Sequence, residues 1–214
     1  MTGDGLADRL REGTRSSHRR AERTGIMGRL LHGAVGRDDY CRLLWNLHPI
    51  YAALERALDH HAEAPLVAAV RVRDLYRAAA LAADLDHLHG AGWRSRPVAS
   101  ATSAYIARLD HLEAHWPAGL VAHAYVRYLG DLNGGRILHD AVGAALGLEA
   151  GAGARFYDFG GPLRAETLKR DYRSSIDSLQ VDAAATEAIV TEAEAAFARH
   201  IQLFEELDSP ALQR

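Results

Sequence analysis

The chain has almost no lysine, a single cysteine and no long apolar run, and each shortage excludes something. Of its 25 basic residues only Lys169 is a lysine. Such an arginine-rich, alanine-rich bias is of the kind that codon composition produces, so it carries no functional weight. Cys41 alone rules out an intramolecular disulfide and zinc sites built on two or more cysteines. No stretch approaches the ~18 consecutive apolar residues of a membrane span. Met1-Thr2-Gly3-Asp4-Gly5 lacks the basic region and apolar core of a secretory signal, and Asp208 to Arg214 is short, polar and carries no anchor. A soluble, reducing, cytoplasmic setting is expected. A net charge of -3 argues against a uniformly basic nucleic-acid binder. No segment alternates strictly with β-branched residues over a strand length, which leaves no signal for a sheet.

What is present is helical periodicity. With 214 residues, 48% of them hydrophobic and 25% charged, the expectation is one domain over 1–214 with an ordered helical core over about 6–207. Leu6, Leu10, Thr14, Ser17 and Ala21 recur at spacings of three and four and predict a first helix. A second runs from about Asp39 to His60, with Pro49 expected to kink it. A third is predicted to open at Pro65 and continue to Gly90. Trp93 to Pro97 reads as a connector, followed by a helix through Tyr105 and Leu112. Another runs from Leu120 towards Leu146. After the glycine-rich loop from Gly151 to Pro162, two helices are predicted over about 164–179 and 182–207, with Asp182 as an N-cap. The fold class is therefore all-α, with seven or eight helices and no internal repeat.

One segment breaks the rules of an ordinary helix. Tyr125-Val126-Arg127-Tyr128-Leu129-Gly130-Asp131-Leu132-Asn133-Gly134-Gly135-Arg136-Ile137-Leu138 keeps the helical period on both sides of three glycines. Each glycine costs ~1 kcal/mol relative to alanine inside a helix. Either the helix ends there in a tight turn, or its backbone must lie flat against something bulky. On the second reading Gly130 and Gly134, four apart, form a strip without side chains that suits a planar cofactor, and Asp131 at its edge organises water. The cofactor then needs a second wall. Most of the 12 histidines fall at helix ends or on polar faces, but His18 lies among the small residues Thr14, Ser17 and Ala21. It is either a satisfied structural histidine or a ligand. Arg11, two turns earlier on the same face, can meet an acidic group at a ligand's edge. Glu22, one turn later, either orients the His18 ring or pairs with an arginine at the surface.

Both segments resemble one family. Thr14-Arg15-Ser16-Ser17-His18-Arg19-Arg20-Ala21-Glu22 with Met27, and Tyr125 to Leu138, are similar to the haem oxygenases, particularly the soluble bacterial ones. The likeness runs from about Leu6 to Leu207. It includes Tyr51-Ala52-Ala53-Leu54-Glu55, Trp93-Arg94, Phe156-Tyr157-Asp158-Phe159 and Lys169-Arg170-Asp171-Tyr172-Arg173. The resemblance implies an all-helical domain with haem b, both cofactor and substrate, held between a proximal first helix and a kinked distal one. His18 stands at the proximal iron ligand. Gly130 and Gly134 match the distal glycines, Asp131 the aspartate that holds a water network, and Arg127 an arginine in that network. Arg11, Tyr125, Lys169 and Arg173 match positions at the haem propionates, and Phe197 an aromatic wall. The chain departs from the family in Asn133 for a serine, Arg11 where lysine is common, Pro49 within its helix, and His200, which raises a second coordinating or hydrogen-bonding imidazole.

The implied reaction cleaves haem with molecular oxygen and supplied electrons to biliverdin, ferrous iron and carbon monoxide, at the α-meso carbon. An acidic ferredoxin or a flavoprotein reductase is the expected electron donor; the arginines around the expected haem edge, Arg11, Arg15, Arg19, Arg127 and Arg173, either dock it or simply form a solvated face. A monomer is expected, with neither nucleic acid nor membrane as partner. Two other readings compete: a haem carrier or sensor made six-coordinate through His200, and a thiaminase-type or quinone-cofactor enzyme that keeps the helical architecture without haem, against which His18 with Arg11 and Lys169 argues.

Overall fold

Leucines spaced by three and four bury one stripe of each amphipathic helix, and the chain folds accordingly. In the computed structural model, which describes residues 5–149 and 152–209, no strand occurs among the described residues. The readings made for Met1–Asp4, for Gly151 and for the chain beyond Ser209 lie outside them. The helices are α1 (Leu6–Glu22), α2 (Gly25–Leu31), α3 (Arg37–His60), α4 (Pro65–Val70), α5 (Ala78–Leu88), α6 (Ser100–His115), α7 (Leu120–Ala124), α8 (Gly130–Leu146), α9 (Pro162–Asp177) and α10 (Ala183–Leu207).

α1 buries Leu6, Ala7, Leu10, Thr14 and Ala21 along α10. The sequence pattern did not reveal α2, only seven residues long. It opens at Gly25, whose φ is +50° and where an added Cβ would sit 2.1 Å from the Phe204 carbonyl oxygen. Only glycine meets both demands. α3 runs unbroken through Pro49, its stripe of Tyr40, Leu43, Leu44, Tyr51, Leu54 and Leu58 wholly buried against α5, α6 and α7. Asp182 caps α10 as expected, accepting from the Ala185 N–H at 2.7 Å.

The single helix predicted from Pro65 to Gly90 is two, and the cause is a tertiary cap. Glu55 of α3 accepts from the backbone N–H groups of Arg77 and Ala78 and starts α5 there. The Arg77 guanidinium meanwhile donates to the carbonyls of Asp74, Leu75, Tyr76 and Asp158, fixing the intervening turn. Neither partner is local enough to show as a pattern.

The stretch from Leu120 to Leu146 is one continuous rod: α7, a π-helical turn at Tyr125–Leu129, and α8. Gly130 has ordinary right-handed dihedrals (φ -61°, ψ -48°), so the helix does not end at the glycines. It ends at Gly147, left-handed at φ +61°. A π turn is a rare, wider coil that occurs mostly as a single turn within α-helices and frequently at functional positions. Its five residues are all buried, immediately before the glycine strip.

Candidate active site

A cleft opens between α1 and the rod, with α10 as its third wall. It has two lobes of about 280 Å³ and 190 Å³ that share His18, Val126, Gly130, Asn133 and Phe197. The outer lobe is rimmed by Arg11, Arg15, Arg19 and Tyr125. The inner lobe adds Glu22, Met27, Leu138 and Phe204 with three buried polar groups, Arg127, Asp131 and His200.

His18 projects from α1 into both lobes with its side chain 44% exposed. Phe197 meets its ring edge-on, centroids 5.8 Å apart. The Glu22 carboxylate lies 3.6 Å from Nδ1, near enough to attract and orient the ring but too long for a hydrogen bond. A ring with one nitrogen facing a carboxylate suits a metal ligand.

Opposite His18, the glycines divide by purpose. A Cβ at Gly130 would meet nothing within 4 Å, and one at Gly134 only the Leu138 Cδ1 at 3.7 Å. Both line the cleft, so the missing side chains leave room for a ligand's face. Gly135 differs, since its Cβ would stand 3.2 Å from the Tyr157 carbonyl. It is a packing glycine.

Behind the strip lies a buried polar knot. The Tyr51 hydroxyl donates to Asp131 Oδ2, and Arg127 Nη2 donates to Asp131 Oδ1 at 3.1 Å. Arg127 also donates to the Tyr51 oxygen through Nε at 2.8 Å and Nη2 at 2.6 Å. His200 Nε2 accepts from Arg127 Nη1. Asp131 is 5% exposed. Burial pushes its carboxyl above the usual range, an effect opposed by Arg127 and the Tyr51 bond. Burial and the neighbouring guanidinium hold His200 well below an ordinary imidazole, so it is neutral. Both oxygens of Asp131 are anchored on the protein side, and the carboxyl lines the inner lobe with acceptor capacity to spare.

The other predicted residues are less uniform. Arg11 and Tyr125 line the outer lobe; Arg11 pairs with Asp8 at 3.2 Å, and Tyr125 bonds to Thr14. Arg173 reaches the same Asp8 from α9 at 2.5 Å, off the cleft wall. Lys169 is also off the wall and pairs with Glu166 of its own helix at 2.7 Å. Cys41 offers no nucleophile, because burial pushes its thiol up to about 11. Tyr51 carried no assigned role in the sequence, and the buried set Tyr105, His123 and Glu192 beyond His200 was not foreseen. Their only signal is a polar tip within an apolar helical stripe.

A family model described as Heme oxygenase matches residues 4–206. The chain is 37% identical over 204 residues to Heme oxygenase 1 of Nostoc sp., covering 95% of this chain and 86% of that protein. It is 38% identical over 205 residues to Heme oxygenase 1 of Gallus gallus, covering 94% and 69%. Among solved structures, heme oxygenase-1 of the cyanobacterium Synechocystis sp. in complex with heme superposes with a TM-score of 0.89 at 36% identity, covering 96% of this chain and 93% of that one. Heme oxygenase from Leptospira interrogans gives 0.89 at 32% identity, covering 95% and 100%. Likeness at that level, over nearly the whole length and around a cleft of this shape, permits one conclusion: the chain belongs to the haem oxygenase family, enzymes that degrade haem.

Proposed function

We propose that this enzyme opens haem b with molecular oxygen and supplied electrons, releasing biliverdin, ferrous iron and carbon monoxide, with His18 as the proximal ligand and Asp131 as organiser of distal water. The observation that carries the reading is the pairing of a side-chain-free strip at Gly130 and Gly134 with a buried carboxylate beside it. The bare strip lets a flat substrate lie against backbone and restricts what fits above it. Glu22 orients the His18 ring, and Phe197 packs against its edge. On the distal side Arg127 commits four of its five N–H groups to Tyr51, Asp131 and His200 rather than to the cleft. Asp131 instead passes protons through water, which favours attack on the macrocycle edge.

Regiochemistry follows from in-plane orientation. Arg11 and Tyr125 at the outer lobe, joined from α9 by Arg173 and Lys169, would hold the propionates and select the α-meso carbon. Lys169 has to exchange Glu166 for a propionate to take part. The arginine-bearing edge of α1 is the docking face for an acidic ferredoxin or a flavoprotein reductase. The domain over 1–214 works as a cytoplasmic monomer; no helix among the described residues is long and apolar enough to cross a membrane. The carrier reading draws no support from His200, whose Nε2 lone pair is occupied by Arg127. The test is purified protein with haem, oxygen and a reductant. Decay of the Soret band with biliverdin of the α isomer is expected, whereas a persistent Soret band of a six-coordinate complex would reject the reading.

A further inference from the structure

Behind the inner lobe, two sets of buried hydrogen bonds face each other, one ending at Tyr105 and the other at His200. At one end Glu192, a carboxylate that can only accept, takes hydrogen bonds from Arg108 Nε at 3.0 Å and from His123 Nε2 at 2.9 Å. Burial outweighs the pull of Glu192 and keeps the His123 imidazole neutral, so with Nε2 donating its Nδ1 must accept. The partner of that Nδ1, at 3.0 Å, is the Tyr105 hydroxyl, which therefore donates. At the other end the Arg127 guanidinium can only donate, so His200 Nε2 accepts and the ring carries its hydrogen on Nδ1. That Nδ1 is buried with no partner. It belongs to a ring 4.8 Å from the Tyr105 ring, whose oxygen still has a lone pair to offer. A stranded donor beside an unused acceptor is the signature of a bound water.

We propose that a water between His200 Nδ1 and the Tyr105 oxygen joins both sets into one chain of fixed direction, Arg127 to His200 to water to Tyr105 to His123 to Glu192. His200, Tyr105, His123 and Glu192 are then positioning residues that hold Arg127, and through it Asp131, for haem cleavage. This rests on reading Arg127 and Asp131 as the distal pair. Because the end groups allow one sense only, the two imidazoles must hold opposite tautomers.

The first measurement needs no haem. Long-range proton–nitrogen NMR of protein labelled with nitrogen-15 histidine should find His200 protonated on Nδ1 and His123 on Nε2. The same tautomer in both rings, or a charged ring in either near neutrality, overturns the proposal. In the haem complex, Tyr105→Phe removes the water's acceptor and the donor to His123 at nearly constant shape. Its expected effect is a fall in kcat for biliverdin of about tenfold, with haem affinity held within about twofold and mixed tautomers in both rings. His200→Gln still offers an acceptor to Arg127 and a donor to the water and should retain most of the activity; His200→Leu should not. Full activity in Tyr105→Phe, or equal loss in the two His200 variants, also overturns it. If the wild type makes no biliverdin at all, the haem-degradation reading fails, while the chain still stands or falls on the tautomers.

Discussion

Asp131 owes its leverage to its surroundings. A carboxylate in water organises little, whereas one buried beneath a bare strip, with Tyr51 and Arg127 fixing both oxygens, presents an acceptor at a set place. Asp131→Ala should therefore lower the biliverdin yield by about a hundredfold with haem affinity little changed; undiminished yield in a single-turnover assay would remove Asp131 from the reaction. A second residue ties the distal region to acid stability. Burial opposes ionisation of Glu192, yet bonds from His123 and Arg108 prevail and hold its carboxyl down at about 2. A carboxyl depressed on folding stabilises the native state above its ordinary range near ~4.3, and that contribution is lost as pH falls towards the folded value. In urea denaturation the wild type should exceed Glu192→Gln near neutrality and lose that advantage as pH drops from about 4.5 to about 2. An advantage that grows in acid contradicts the assignment. At this scale the sequence was informative where a residue breaks a local rule, as Gly130 and Gly134 do, and where a residue stands on a face, as His18 does. It was silent on Tyr51, which meets Asp131 across 80 positions of chain. It placed Lys169 at a propionate, though the nearest carboxylate is one turn away on the same helix.

For whole elements, the rod from Leu120 to Leu146 gives a prediction with two opposite signs. Gly130 sits in ordinary helical backbone with open space where a Cβ would go. Gly130→Ala should raise folding stability by about 0.5–1 kcal/mol, worth roughly 1–4 °C in Tm. The same methyl intrudes on the strip and should weaken haem binding by about tenfold or more. Thermal melts and haem titration of one variant read both; a change of the same sign in the two would show that the strip does not face the ligand. Gly25→Ala is the contrast, since its backbone is left-handed and the new methyl meets the Phe204 carbonyl. A loss of more than about 1 kcal/mol is expected in chemical denaturation. The rod was legible because its apolar period continues on both sides of the glycines. Its π turn was not, because Tyr125–Leu129 has no composition that distinguishes it from α-helix. α2 escaped notice because glycines at 25 and 28 obscure a seven-residue pattern, and the break before α5 depends on Glu55, more than twenty residues upstream.

For the molecule as a whole, the all-α architecture followed from periodicity, since helical stripes need only local spacing to be recognised. The cleft did not, because its walls come from α1, the rod and α10, which meet only after folding. The arginine edge beside it carries a further expectation: turnover with an acidic ferredoxin should slow as salt rises, while turnover with a small neutral reductant should not. Salt dependence alike for both would place donor docking elsewhere. Beneath all of this is a geometric claim about where the tetrapyrrole sits, and a crystal soaked with hemin answers it. The electron density should show iron bonded to the His18 imidazole and the backbone of Gly130 and Gly134 resting on the opposite face. Iron bound to any other side chain, or hemin lodged outside the cleft, would contradict the account.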